Sequence, residues 1–452
     1  MFNSLKRFQN AKTLKELFTL LTFKEIDIIA AFPLMLFIIS PVIVFWQITF
    51  IKNWLYETTA NSLMSVTAVF SFIVMSCDFS KQFLSGRSFR KIISDYLPQL
   101  FFLLMAVLIV ISTLINGFTE KVLFGDLYRG ESVFSFLSYV ICFFGCAAVI
   151  RYERTKRFLL NSFLIASAFV SIVSLLDYFV VIPFGYFHIY QNNALTGVFY
   201  NSNHFGYYLA IAATLSFAMC VFEESRIPKC LYMFSLSLHT VTLVMNRTRG
   251  SCLAFLGAVI VTCLVYVKIR KFRLISIILP VSVFIGSVVI GFAVLPQNLD
   301  KFMRLFRDMS DITVSVVNSD TEKNVDRAGS GRWLLWKLTV GAILQKPVFG
   351  WGTEGISYIL AHSNVRNSRP HNEYLQYAAF YGVPACLCYL TAIGNVYHRA
   401  HRQLTVLSDS MVVALIGAFS YLISACFGNT MFYTTPFLFI LLGLGFRIES
   451  KD

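Results

Sequence analysis

The sequence predicts an all-α fold, a polytopic membrane helix bundle of about 12 transmembrane helices with one long extracytoplasmic loop that carries short helices. Three observations predict it. Of 452 residues, 57% are hydrophobic and only 14% charged, a balance foreign to a soluble chain of this length. The apolar residues fall in runs close to the roughly 20 residues that carry a helix across a hydrocarbon core, where every backbone group must be paired within the segment. Lys and Arg cluster between the runs so that one side of the bundle collects them.

The runs lie at 27–49, 60–77, 98–116, 133–150, 158–183, 206–222, 230–245, 252–267, 274–295, 373–396, 409–427 and 434–446. The first 24 residues are polar and basic and lack a cleavage-type site, so the first run is expected to be a retained helix rather than a removed signal. The tail carries five Lys and Arg residues. Lys81, Arg87, Arg90 and Lys91 follow the second run, and Arg151, Arg154, Lys156 and Arg157 follow the fourth. Lys268, Arg270, Lys271 and Arg273, then Arg399 and Arg402, return to the same side. That side is predicted to be the cytoplasm, with both termini on it. The net charge of +14 therefore reads as a topology signal and not as a nucleic-acid surface. One membrane domain, 1–452, is the economical description.

The opposite side receives the 296–372 loop and shorter polar stretches near 184–205 and 246–251. Its ten Lys and Arg residues do not overturn the orientation, because long loops cross largely regardless of charge. Within it, Ser330 can cap a helix from about Gly331 to Gln345, whose Trp333, Trp336, Leu335 and Ile343 alternate with Arg332, Lys337 and Lys346; the pattern predicts a helix lying on the membrane surface. The ten cysteines all fall in or beside apolar runs, which argues against a disulfide framework or a thiolate metal site.

Three polar clusters each precede a helix that runs inward from the outer face: Thr196-Gly-Val-Phe-Tyr-Asn-Ser-Asn203, Asn246-Arg-Thr-Arg-Gly-Ser251 and Arg369-Pro-His-Asn-Glu373. Helix N-termini present unpaired N–H groups and partial positive charge, which suit an anion. Asn203, Ser251 and Asn372 also suit capping, and helix initiation alone would account for asparagine at such places. Arg247 and Arg249 are harder to place, since two guanidinium groups between apolar runs must reach water, lipid phosphate or a bound anion. His371, beside Arg369 and at a helix mouth, is expected to be neutral and able to accept a proton. His188, His239, His398 and His401 are taken as structural, with His204 and His362 as neighbours of the site. No carboxylate pair has metal-ligand spacing, so neither a metal nor a cofactor is expected.

In this order the motifs resemble those of the bacterial O-antigen ligase and O-antigen polymerase superfamily, transferases of polyprenyl-diphosphate-linked glycans. The residues are Thr196-Gly-Val-Phe199 with Asn201-Ser-Asn203; Arg249 with Leu253; Gly329-Ser-Gly-Arg332 through Trp336 to Pro347-Val-Phe-Gly-Trp-Gly352; and His371-Asn372 with Gly382 beyond them. They cover 190–390. The pattern departs at Ala194, where the family often has arginine, and at Ala385, where ligases usually show Gly, Thr or Tyr. The resemblance implies a metal-independent, inverting glycosyltransferase of the bacterial cytoplasmic (inner) membrane. It would move a glycan from undecaprenyl diphosphate to an acceptor hydroxyl on the outer face: the lipid A core in ligases, another lipid-linked repeat unit in O-antigen or capsular polymerases. Carried over residue by residue, Arg249 would clamp the diphosphate and His371 would act at the reaction centre as the catalytic pair. Arg247, Arg369, Asn203, Asn201, Asn372, Arg332 and Arg366 form the substrate-binding set that goes with them. A transporter or lipid flippase is the alternative of another class; it would place ionisable groups near the midplane, where this sequence has almost none.

Overall fold

The computed structural model describes residues 20–47, 56–90, 100–125, 130–179, 190–191, 194–199, 201–270, 273–300, 328–362 and 369–446, together with the isolated positions Thr13, Glu16, Thr49 and Met303. Helix α1 (Phe23–Ile38) begins at a capping box in which Thr22 accepts from the Glu25 N–H and the Glu25 side chain accepts from the Thr22 N–H. It meets α2 (Ser40–Trp46) at a 48° bend, next to Pro41, which lacks the N–H a continuous helix would use. Then come α3 (Tyr56–Leu84), α4 (Leu100–Asn116), the short α5 (Glu120–Phe124), α6 (Val133–Val149) and α7 (Glu153–Tyr178). Two-residue strands β1 (Tyr190–Gln191) and β2 (Ala194–Leu195) pair antiparallel and lead through a 3₁₀ turn at Gly197–Phe199 into α8 (Ser202–Phe222). Helices α9 (Arg226–Asn246), α10 (Arg249–Ile269) and α11 (Leu274–Val294) follow. Beyond them lie α12 (Ala328–Gln345), α13 (Gly352–His362), α14 (Glu373–Tyr381), α15 (Val383–Arg402), α16 (Asp409–Ala425) and α17 (Thr435–Gly445).

Among the described residues, six helices are long and apolar enough to cross a membrane, or seven if the bent pair α1–α2 is one span. Four shorter apolar helices, α4, α6, α16 and α17, fall below that length, so the count of about 12 is not confirmed by length and composition. The run at 373–396 is two helices rather than one, broken at Gly382, whose φ of 91° no continuing helix can adopt. The surface helix also differs from expectation. α12 starts at Ala328, ahead of Ser330, and buries Leu335, Thr339 and Ala342 within the protein, while Trp336 donates its indole N–H to Pro370 O at 3.0 Å. One of its two tryptophans thus serves the fold inside the molecule.

The core is built around α8, which is buried along its length and packs against α9, α10 and α16. Ala210, Ala212, Ala213, Ser216 and Ala218 let those neighbours approach closely. α11 is peripheral and exposes Ile275, Ile278, Ile285, Val289 and Ile290.

The two ends of the bundle differ in chemistry. At one end, charges pair between helix termini: Arg151 with Asp78 at 2.7 Å, Arg157 with Glu223, and Arg270 with Asp409 at 2.7 Å. Asp27 accepts from the Arg151 N–H at 2.6 Å, and Glu153 accepts from Ser410 Oγ at 2.5 Å. These contacts tie the start of α1 and the ends of α3, α6, α8 and α10 to the heads of α7 and α16. The opposite end holds all three polar clusters.

Candidate functional site

The first two clusters are stitched together. Asn201 caps α8 by accepting from the Asn203 N–H at 2.9 Å, so the capping residue is Asn201 and not Asn203. Asn246 donates to Leu195 O at 2.6 Å and to Ser202 O at 2.9 Å, and Thr248 Oγ1 donates to Ser202 O at 3.0 Å. Gly206 makes the approach possible. A Cβ there would lie 2.7 Å from Asn246 Oδ1 and from Thr248 Cβ, and 2.8 Å from Ser251 Oγ.

The α9–α10 connection is a two-residue reversal. Arg247 takes the left-handed conformation at φ 68°, Thr248 is the N-cap, and α10 begins at Arg249. Ser251 therefore lies inside the helix, with its Oγ buried and without a hydrogen-bond partner. Arg247 donates through Nε to Asn298 Oδ1, and Asn298 Nδ2 donates to Val244 O at 3.1 Å. This arginine is therefore partly committed to the head of the long loop. Arg249 is half-buried in the first turn of α10. Arg332, half-buried near the start of α12, stands in the same neighbourhood: burial lowers its proton affinity, the charge of Arg249 acts in the same direction, and Tyr207 opposes both.

The third cluster docks onto the segment that joins α16 to α17. His371 adopts φ 51°, and its N–H donates to Asn429 Oδ1 at 2.8 Å. Asn429 Nδ2 lies 3.3 Å from His371 Nδ1, so one asparagine holds the residue by backbone and ring together. Asn372 caps α14 by accepting from the Leu375 N–H at 3.0 Å and donates to Cys426 O at 3.2 Å. The same segment touches α10, because Gly250 abuts the Phe427 side chain. Gly250 follows Arg249, and Phe427 is two residues before Asn429. Arg249 and His371 thus stand on one end of the bundle, against one connecting segment.

Arg369 is placed differently. It is 4% exposed, pairs with Glu131 at 2.7 Å, donates to Ser357 Oγ and lies over the Phe380 ring at 5.1 Å. Glu131 also accepts from Gln376 Nε2 at 2.5 Å and from Thr430 Oγ1 at 3.2 Å. Arg369 is thereby part of a buried network that anchors the His371 loop. Arg366 lies outside the described residues. The side chains of Asn201 and Asn372 spend an acceptor on their own helices, and Asn203 is half-buried in the first turn of α8.

Gly382 and the 347–352 stretch meet through backbone contact. Val383 N donates to Pro347 O at 2.8 Å and Trp351 N donates to Ala379 O at 2.8 Å, so 347–352 lies against the α14–α15 break. A Cβ on Gly382 would strike the Val348 carbonyl. Ser112 of α4 donates to Phe349 O at 2.5 Å and to Phe380 O at 3.2 Å, which fixes both strands of this contact.

Glu131, Asn298, Gln376, Asn429 and Thr430 are the supporting residues that sequence reasoning missed. The polar triplet Gly428-Asn429-Thr430 between two apolar runs was the available signal for the last two. No curated protein matches the chain in sequence. Residues 231–390, a region that contains Arg249, Arg332 and His371, match the family model described as O-antigen ligase.

Proposed function

We propose that the chain is a multi-pass glycosyltransferase of the bacterial inner membrane that moves a glycan from undecaprenyl diphosphate to an acceptor hydroxyl on the outer face. The carrying observation is the gathering of Arg249, Arg332 and His371 at the end where α8, α10 and α14 begin, opposite the end where Arg151 pairs with Asp78, Arg157 with Glu223 and Arg270 with Asp409. In this reading the bundle crosses the bilayer twelve times, counting α1–α2 and α14–α15 as one crossing each, and both termini are cytoplasmic.

The reaction is a direct displacement. The acceptor oxygen forms a bond to the anomeric carbon as the bond from that carbon to the phosphate oxygen breaks, and the hydroxyl proton passes to His371. Attack from the face opposite the leaving group inverts the centre. The diphosphate carries away the bonding electrons, and Arg249 and Arg332, with the N–H groups that open α8, α10 and α14, stabilise its charge without a metal. Arg247 contributes Nη2, which is buried without a hydrogen-bond partner. Asn203 borders the donor site. Arg369 acts through its anchor on Glu131.

Glycan transfer by membranes containing Arg249→Ala, Arg332→Ala or His371→Ala tests this, with insertion checked by protease protection. Each variant is expected to lose activity by 10²-fold or more, on the order seen when a preorganised charge-stabilising donor is removed. Full activity in the Arg249 and His371 variants would overturn the proposal. Transfer to lipid A core, compared with transfer to a second lipid-linked repeat, assigns ligase or polymerase; Ala385, where ligases usually carry Gly, Thr or Tyr, favours a repeat-unit acceptor.

A further inference from the structure

Between α10, α15 and α16, at the ion-paired end, lies a cavity of about 220 Å³ lined by Val261, Val265, Tyr397, His401, Val412 and Phe419, among others. It is several times the roughly 30 Å³ that a water takes up in the liquid. Its walls are apolar, and the Tyr397 hydroxyl is spent on Leu415 O at 2.8 Å. The stripe of α10 that lines it, Val261 and Val265, continues three residues later to Lys268, which is exposed, and His401 on α15 is exposed at the same mouth. Asp409, at the head of α16, has both carboxylate oxygens bonded by Arg270 at 2.7 Å; Glu224 also lies within electrostatic reach of Arg270. Ser408 Oγ, one residue earlier, is buried and lacks a hydrogen-bond partner. With Asp409 neutralised by Arg270, Lys268 leaves the rim basic.

We propose that this is a binding site for an anionic phospholipid of the leaflet at the ion-paired end. One acyl chain occupies the slot and the phosphate headgroup meets Lys268, His401 and the Ser408 hydroxyl. An apolar slot under a basic rim fits a lipid that joins a long hydrocarbon to net negative charge. A zwitterionic lipid gains the slot but loses the charge attraction. The site lies at the opposite end from Arg249 and His371 and does not depend on the proposed transfer reaction.

The test uses the full-length protein, purified in detergent, stripped of lipid and mixed with phosphatidylglycerol or with phosphatidylcholine of the same acyl chains, retained lipid being counted by native mass spectrometry. Phosphatidylglycerol should be retained preferentially, and Lys268→Gln should weaken retention about fivefold. Val412→Trp, which fills the slot, should abolish it, with circular dichroism confirming the fold. Equal retention of the two lipids, wild-type retention in Lys268→Gln, or equal competition by glycerol phosphate alone would overturn the proposal.

Discussion

His371 shows how much support one side chain needs. A left-handed backbone costs a non-glycine residue roughly 1–2 kcal/mol, and here the Asn429 bond to the His371 N–H offsets that cost while turning the ring. Asn429→Ala should leave the protein inserted yet lower glycan transfer by on the order of 10²-fold, the scale of a 1 Å misplacement at a reacting group; unchanged turnover would exclude this positioning role. Glu131 makes a contrasting case. It and Arg369 are each about 4% exposed or less, and removing one partner of such a pair costs about 3–5 kcal/mol. Glu131→Leu should lower the unfolding midpoint in detergent sharply, and Glu131→Leu with Arg369→Met should recover most of the loss. At this scale the sequence marked the candidate side chains but not their partners. Arg249 and His371 stand out locally as charge and imidazole beside apolar runs, whereas Glu131 becomes relevant to Arg369 only through a contact spanning 238 positions.

Elements were more legible than their joints. The run at 98–116 became α4 almost unchanged, because a stretch of uniform apolarity has no alternative to helix in lipid. The breaks escaped notice, since Gly382 reads as one more small residue in an apolar stretch until its φ and the Val348 carbonyl are seen. Asn372 caps α14 as expected, but the caps of α8 and α10 shifted by two and three residues for a related reason: Asn, Ser and Thr crowd each helix start, and tertiary bonds from Asn246 and Thr248 to Ser202 decide among them. Gly382→Ala should cost about 1–3 kcal/mol through backbone strain alone and more through the collision. The expected readout is a lowered unfolding midpoint together with lost transfer, whereas Gly394→Ala, where a Cβ meets nothing within 4 Å, should be neutral in both.

For the molecule as a whole, the distribution of Lys and Arg anticipated which ends would gather, and the ion pairs at one end and the polar clusters at the other follow that division. Orientation is open to direct measurement. In a cysteine-free background, needed because Cys230 is exposed, Gln297→Cys should react with an impermeant maleimide in intact spheroplasts and Arg154→Cys only after permeabilisation. The reverse result would turn the bundle over and place the chemistry on the wrong face.

The Glu131–Arg369 anchor reaches outside residues 231–390, and so do the contacts of Asn246 and Thr248 with Ser202 and of His371 with Asn429. The stretch that carries the recognisable signature is consequently not an autonomous module. Excised and expressed alone, it would keep its arginines and histidine but leave them without walls, and only co-expression of the flanking fragments would be expected to rebuild a working centre.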